Sequence, residues 1–185
     1  FAAAYTNATL IGITGTNGKT TTTMLTYHLL EKAGLNVGMA GNVGISFAKQ
    51  VALADKEYYV LEISSFQLDG MHTVALDYAV LLNITPDHLD RYDSLQGYVD
   101  SKFKINQNQK SGQRFIYCAD DETITNQLKH HTTEAELIPF TYDGGPLEQG
   151  AWVEDNQINI KLNKPKTEFI MSVEQLTIEI GRASC

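Results

Sequence analysis

Cysteine is scarce in this 185-residue sequence, which contains only Cys118 and Cys185. The two lie far apart, and neither has neighbours at the spacing of a metal site. This scarcity argues against a disulfide framework and favours a reducing compartment. The sequence also lacks any apolar run near the roughly 18 residues that a membrane-spanning helix requires, and its first residues lack a signal-peptide pattern. We therefore expect a cytoplasmic protein without a membrane segment.

Basic residues are few as well: 14 Lys and Arg stand against 22 Asp and Glu, for a formal net charge of −8. A nucleic-acid-binding protein needs a basic face that releases counterions, so this class is disfavoured. The 43% of apolar residues excludes a disordered or fibrous chain. Residues 111–185 hold twelve acidic and six basic side chains, whereas residues 1–110 hold ten and eight. We expect a site for an anionic ligand in residues 1–110.

Short apolar runs alternate with helical patterns in the first 130 residues. Apolar residues spaced three and four apart predict helices, and compact apolar runs predict strands. The predicted strands are 9–14, 37–40, 58–63, 76–84 and 114–118, and the predicted helices are 20–33, 45–54, 94–107 and 122–129. Strands that alternate with helices predict an α/β fold with a mostly parallel sheet of the P-loop type, flanked by helices on both faces.

After about residue 132 the pattern changes to short apolar runs between turn-forming residues. Strands are predicted at 152–153, 158–162, 168–171 and 176–180, with turns at 144–146, 155–156 and 163–165. We interpret residues 132–180 as a small antiparallel β appendage of one domain that spans residues 1–180. Residues 181–185 have no pattern and are assigned to a tail.

The strongest motif is TGTNGKTT at residues 14–21, between a predicted strand and a predicted helix. Its glycines let the backbone bend so that consecutive N–H groups converge on phosphate oxygens. Lys19 would reach the outer phosphates, and Thr20 would present its hydroxyl to magnesium. The usual P-loop has a glycine five positions before Gly18, where this chain has Ile13. The flanking strand and helix nevertheless favour a nucleotide-phosphate loop over an ordinary glycine-rich turn.

Two further groups of polar residues follow predicted strands. Glu62 lies near the end of the strand 58–63, where it could hold magnesium together with Thr20. An edge-exposed glutamate is the alternative. The segment TPDHLDR at residues 85–91 places His88 beside acidic residues, which suits a metal ligand or a proton carrier. A solvated loop of mixed charge is the competing interpretation.

Four segments occur in an order that resembles the central domain of the Mur ligases of peptidoglycan synthesis. They are GTNGKTT at 15–21, GNVG at 41–44, LEISSFQL at 61–68 and DHLDRY at 87–92. The ordered combination is more specific than the phosphate loop alone. The resemblance extends over roughly residues 1–180, and the string EISSFQL is most similar to the members that add D-glutamate.

The resemblance implies a ligase that uses ATP and two Mg²⁺ ions to join D-glutamate to UDP-N-acetylmuramoyl-L-alanine through an acyl phosphate. It also implies a UDP-binding domain before this one and an amino-acid-binding domain after it; we expect a monomer. The implied nucleotide and substrate contacts are Gly15, Thr16, Asn17, Gly18, Lys19, Thr20, Thr21, Asn42 and Ser64. The implied magnesium ligands are Thr20 and Glu62 for the first ion and His88 and Lys102 for the second. The implied catalytic residues are Lys19, His88 and Lys102.

Lys102 occupies the position of the family's carbamylated lysine. From the sequence alone it is expected on a helix surface, and only the resemblance selects it. Carbamylation would convert a cation into a carboxylate-like anion that can bind magnesium. A buried amine favours its neutral form, which is the form that reacts with carbon dioxide.

Two departures from the family pattern accompany the resemblance. The Gly-x-His-Asn stretch that follows the central domain is absent, since residues 180–183 read IGRA, and Cys118 stands where relatives often have asparagine. We interpret the chain as the central domain of a longer enzyme, with weak or no turnover alone. Two alternatives stay open: another superfamily member, such as a folylpolyglutamate synthetase or a Mur ligase that adds a later residue, and a nucleotide-binding switch without ligase chemistry.

Overall fold

The structure, a computed structural model, describes residues 1–42, 44–86, 92–163 and 166–175. The strands are β1 (Thr9–Thr14), β2 (Val37–Gly41), β3 (Tyr58–Glu62), β4 (Tyr78–Leu81), β5 (Arg114–Cys118), β6 (Glu136–Thr141), β7 (Gly150–Glu154), β8 (Gln157–Asn163) and β9 (Lys166–Ser172). The α-helices are α1 (Lys19–Lys32), α2 (Phe47–Leu53), α3 (Ser65–Asp69), α4 (Leu95–Phe103) and α5 (Glu122–Leu128). Short 3-10 helices span Ala2–Tyr5, Lys104–Asn106 and Val173–Gln175.

The nine strands form one sheet in the order β2-β3-β1-β4-β5-β6-β7-β8-β9. Neighbouring strands are parallel from β2 to β7, and the pairs β7–β8 and β8–β9 are antiparallel. The predicted fold class, a mostly parallel α/β sheet with antiparallel strands near the C-terminus, is confirmed. The antiparallel strands continue the main sheet, because β6, which was not predicted, pairs with β5 on one side and β7 on the other.

Helices cover both faces of the sheet. Leu10 and Ile11 are neighbours in β1 and point to opposite faces, as the period of a strand requires. The helix α1 covers the Ile11 face and packs against β1, β2 and β3. Side chains of the other four helices join the larger cluster on the Leu10 face. No helix within the described residues is both long enough and apolar enough to cross a membrane.

Several elements match the bounds predicted from the sequence, and others are shorter. The strands β1 and β5 match residue for residue, whereas β4 covers only the middle of the predicted run 76–84. The helix α4 ends at Phe103 and continues as a 3-10 turn. The strand predicted at 176–180 lies outside the described residues. Because β1, β3 and β4 are parallel neighbours, the loops after their carboxyl ends meet at one edge of the sheet.

Candidate functional site

The loop between β1 and α1 is held against Asn83, the second residue after β4. The amide N–H of Thr16 donates to the Asn83 carbonyl at 3.0 Å, and that of Asn17 donates to Asn83 Oδ1 at 2.8 Å. The Asn83 amide group returns a hydrogen bond to the Asn17 carbonyl at 3.1 Å. Gly18, with φ of 80°, turns the chain into the first turn of α1. The loop predicted to bind phosphate therefore leads directly into a helix N-terminus, and Asn83 is a contact that sequence reasoning missed.

Lys19, the first residue of α1, folds its side chain back over this loop. Its ammonium group donates to the Gly15 carbonyl at 3.0 Å and to the Thr16 carbonyl at 2.7 Å. The positive charge is thus held at the loop itself. Thr20 and Thr21 follow on the exposed side of the first helical turn. This arrangement places a cation and two hydroxyl groups beside the loop's backbone N–H groups.

Glu62 lies at the carboxyl end of β3 and is 1% exposed, so the alternative of an edge-exposed glutamate is wrong. Its Oε2 accepts a hydrogen bond from the Thr20 hydroxyl at 2.8 Å, and its Oε1 accepts one from the Asn42 side chain at 3.0 Å. Within the described parts of the chain, no Lys, Arg or His forms an ion pair with this carboxylate. A buried carboxylate with only neutral partners is costly unless a cation compensates it.

The close approach of Asn42 to Glu62 depends on the glycine before it. The Asn42 amide N–H donates to the Glu62 carbonyl at 2.8 Å. Gly41 has φ of 110°, and a Cβ built on it would lie 2.1 Å from the Glu62 carbonyl oxygen. Only glycine fits this position, which explains why the turn after β2 begins with it.

Lys102 is buried, with 1% of its surface exposed, so the placement on a helix surface that the sequence alone suggested is wrong. Its ammonium group donates to the Gly15 carbonyl at 2.9 Å. It also lies 4.8 Å from the centroid of the Tyr98 ring. The structure therefore brings Lys102, 87 residues along the chain from Gly15, to the same loop that Lys19 contacts.

Ser64 and His88 differ from the other predicted site residues. Ser64 is the N-cap of α3: its hydroxyl accepts from the Gln67 amide, and the Gln67 side chain accepts from the Ser64 amide at 2.9 Å. This reciprocal pair is a capping box. Ser64 stands two residues after Glu62, beyond the carboxyl end of β3, and a role in binding substrate stays a prediction. His88 lies outside the described residues, as do the other members of the segment 87–91.

A network between α3 and α4 positions the helix that carries Lys102. Asp69 accepts hydrogen bonds from Lys104 at 2.7 Å and from the Tyr92 hydroxyl at 2.9 Å. The Ser101 hydroxyl donates to the Ser65 carbonyl at 3.1 Å. Burial alone would raise the pKa of Asp69, but the hydrogen bonds from Lys104 and Tyr92 and the positive charge of Lys104 outweigh it and lower the pKa. Apart from Tyr92, the last residue of the DHLDRY segment, these residues were not singled out from the sequence, because their partners lie on separate elements.

The oxygen ligands present could hold a magnesium ion beside the phosphate loop. Mg²⁺ prefers oxygen ligands, and the Glu62 carboxylate and the Thr20 hydroxyl provide two of them within one hydrogen-bond distance. No cluster of three or more His, Cys, Asp or Glu side chains that could hold a metal occurs among the described residues. A magnesium ion here would therefore take its remaining ligands from phosphate oxygens and water, as is usual for nucleotide-bound Mg²⁺.

Comparison with known proteins identifies the family of this chain. Residues 13–183 match the family model described as the Mur ligase middle domain. The chain belongs to the Mur ligase family. A UDP-N-acetylmuramoylalanine–D-glutamate ligase of Bacteroides fragilis is 51% identical over 181 residues, which cover 96% of this chain and 39% of that protein. The chain thus spans about two fifths of the length of this curated relative.

Solved structures of other Mur ligases share the fold. A UDP-N-acetylmuramoyl-L-alanyl-D-glutamate–2,6-diaminopimelate ligase superposes with a TM-score of 0.69 at 17% identity, over 89% of this chain and 39% of that one. The MurF ligase of Thermotoga maritima, solved in complex with ADP, gives a TM-score of 0.64 at 22% identity, over 92% of this chain and 42% of that one. The resemblance to the Mur ligases noted from the four sequence segments is confirmed.

Proposed function

We propose that this Mur ligase middle domain binds Mg²⁺ and ATP and provides the phosphoryl-transfer site of an enzyme that joins D-glutamate to UDP-N-acetylmuramoyl-L-alanine. The observation that carries the proposal is the contact between Glu62 and Thr20 at 2.8 Å, beside the loop that Lys19 covers. A buried carboxylate, a hydroxyl and a loop at a helix N-terminus together make a site for a magnesium-bound phosphate chain.

The loop and Lys19 would bind the phosphates. The backbone N–H groups at the N-terminus of α1, with the hydroxyls of Thr20 and Thr21, would face the phosphates, and the Lys19 ammonium would exchange its two carbonyl acceptors for phosphate oxygens. Phosphoryl transfer depends mainly on positioning and on charge stabilisation, so these groups act by orienting the γ-phosphate and neutralising it. Asn42 and Ser64 would line the substrate side.

Thr20 and Glu62 would hold one magnesium ion, and His88 with carbamylated Lys102 would hold a second. When bound, these ions supply charge neutralisation across the transferred phosphate. A carbamylated lysine keeps one N–H, so Lys102 would retain a donor for the Gly15 carbonyl after modification. Burial of Lys102 supports its modification, since a desolvated amine favours the neutral, reactive form.

The proposed reaction proceeds in two steps. A carboxylate oxygen of UDP-N-acetylmuramoyl-L-alanine attacks the γ-phosphorus of ATP, ADP leaves, and an acyl phosphate forms. The amine of D-glutamate then attacks the acyl carbon, loses a proton and expels inorganic phosphate. We propose that parts of the enzyme outside this chain hold the UDP group and D-glutamate, that the enzyme is a monomer, and that it acts in the cytoplasm in peptidoglycan synthesis, where it would influence cell shape and division.

The test is amino-acid-dependent release of ADP by the whole protein that contains this chain, supplied with ATP, Mg²⁺ and UDP-N-acetylmuramoyl-L-alanine. D-Glutamate should stimulate release, whereas L-lysine and diaminopimelate should not. Release stimulated by either of those two instead would assign the enzyme to a different amino acid. ADP release at the same rate with and without each amino acid would point to a nucleotide-binding module without ligase chemistry.

A further inference from the structure

Tyr98, in the middle of α4, contacts the phosphate loop directly. Its side chain is 1% exposed, and its hydroxyl oxygen lies 3.2 Å from the hydroxyl of Thr16. The two residues are 82 positions apart, and their contact joins α4 to the loop between β1 and α1. No motif in the sequence drew attention to Tyr98.

Two further contacts hold the Thr16 hydroxyl in place. It lies 3.2 Å from the Thr85 carbonyl, which can only accept. The Thr85 amide N–H donates to the same Thr16 oxygen at 3.0 Å. The hydroxyls of Thr16 and Tyr98 share a hydrogen bond in which either oxygen can be the donor. Thr16 therefore links Tyr98 to the segment that follows β4.

A second contact to the loop comes from the same face of α4, one turn later. Residues four apart on a helix are surface neighbours, and Tyr98 and Lys102 have this spacing. Tyr98 is hydrogen-bonded to Thr16, while Lys102 donates to Gly15 and lies over the Tyr98 ring. The helix thus contacts two consecutive loop residues with two side chains that also contact each other.

We infer that Tyr98 is a positioning residue for the phosphate-transfer site: its hydroxyl orders the phosphate loop through Thr16, and its ring holds the amine of Lys102 beside Gly15. The inference rests on the proposed function for its consequence in catalysis, but its two structural claims are separate from that function. Removal of the hydroxyl should loosen the loop and leave Lys102 in place. Removal of the ring should disturb both.

The test compares Tyr98→Phe and Tyr98→Leu with matched changes at Tyr59. Tyr59 is a suitable control because it is fully buried in β3 and its hydroxyl donates one hydrogen bond, to the Ala54 carbonyl at 3.2 Å, away from the loop. Amide hydrogen exchange of residues 15–18 and Thr85, followed by NMR on the 185-residue chain without nucleotide, reads loop order directly. Tyr98→Phe should speed this exchange about 3- to 10-fold, the range expected from one lost hydrogen bond, and Tyr59→Phe should leave it unchanged.

Two further readouts separate the parts of the inference. Affinity for an ATP analogue with Mg²⁺ should fall about 3- to 10-fold in Tyr98→Phe, because the loop must be ordered on binding. The carbamate signal of Lys102 in ¹³C-bicarbonate should persist in Tyr98→Phe and weaken in Tyr98→Leu. Tyr59→Leu shows how far a general loss of stability alone weakens the carbamate signal.

The outcomes distinguish this inference from the proposed function. Equal loop exchange in Tyr98→Phe and the unaltered chain would overturn the role of the hydroxyl, whatever the chain binds. A wild-type chain that shows no affinity for nucleotide would count against the proposed function, while the exchange comparison would still decide on Tyr98. If Tyr59→Phe speeds amide exchange in the loop as much as Tyr98→Phe does, the effect does not depend on the contact between Tyr98 and Thr16. That result would also overturn the inference.

Discussion

The ammonium groups of Lys19 and Lys102 both donate to one oxygen, the Gly15 carbonyl, at 3.0 and 2.9 Å. A carbonyl has two lone pairs and can accept both hydrogen bonds. Two positive charges at one oxygen repel each other, however, and Lys102 is also removed from solvent. Carbamylation of Lys102, as proposed above, would replace its positive charge with a negative one and remove this repulsion.

Carbamylation should accordingly be selective for Lys102. In ¹³C-bicarbonate the chain should show one carbamate resonance, and the modified residue should gain about 44 Da. Lys102→Arg should abolish the resonance. Lys104→Arg is the matched control, because Lys104 lies on the next turn of the same segment, is partly exposed and pairs with Asp69 at 2.7 Å. A resonance that survives Lys102→Arg, or its absence from the unaltered chain, would contradict this expectation.

Gly41→Ala should disrupt the turn that brings Asn42 to Glu62. A Cβ at this position would overlap the Glu62 carbonyl, and the positive φ adds strain. We expect the free energy of unfolding in urea to fall by about 3 kcal/mol or more.

Gly34→Ala is the control for the turn, because Gly34 has φ of 81° but nothing within 4 Å of a built Cβ. Gly34→Ala should lower the free energy of unfolding only by the backbone strain, about 1 to 2 kcal/mol. Equal losses of stability at the two positions would mean that the contact with Glu62 is not what requires glycine at 41.

Stability should fall as the pH drops through the titration range of His131. Burial lowers the pKa of His131, whose Nε2 lies 2.8 Å from Asn106 Oδ1 and whose ring packs on Phe103. The unfolded chain therefore binds a proton more readily than the folded one. The stability that depends on neutral His131 is complete above the ordinary histidine pKa of about 6.5 and is lost as the pH falls below it.

Urea unfolding at pH 7.5 and 5.5 measures this effect. His131→Gln should reduce the difference in stability between the two pH values, whereas His28→Gln, a change at an exposed residue of α1, should not. An unchanged difference in His131→Gln would assign the acid sensitivity to other groups.

The parts of the molecule that could be predicted are those that a pattern of neighbouring residues indicates. The strands β1 and β5 are compact apolar runs, and Lys19, Thr20 and Glu62 stand at the ends of predicted strands or helices. The strand β6 was missed because Pro139 interrupts its run, and α3 was missed because five residues are too few for a helical period. The burial of Lys102 and the contacts of Asn83, Thr85 and Tyr98 with the loop join residues at least 66 positions apart. Such contacts arise from the sheet order, which no local pattern encodes.

The most direct test of the central claim, that Glu62 and the loop form one magnesium–nucleotide site, is calorimetric binding of a non-hydrolysable ATP analogue to the chain. Binding by the unaltered chain should require Mg²⁺. Glu62→Gln preserves the shape of the side chain and removes its charge, and should weaken Mg²⁺-dependent binding at least about tenfold, or about 1.4 kcal/mol, without loss of fold stability. Glu148→Gln, at an exposed residue, should bind as the unaltered chain does. Equal Mg²⁺-dependent affinity in Glu62→Gln and the unaltered chain would contradict the account.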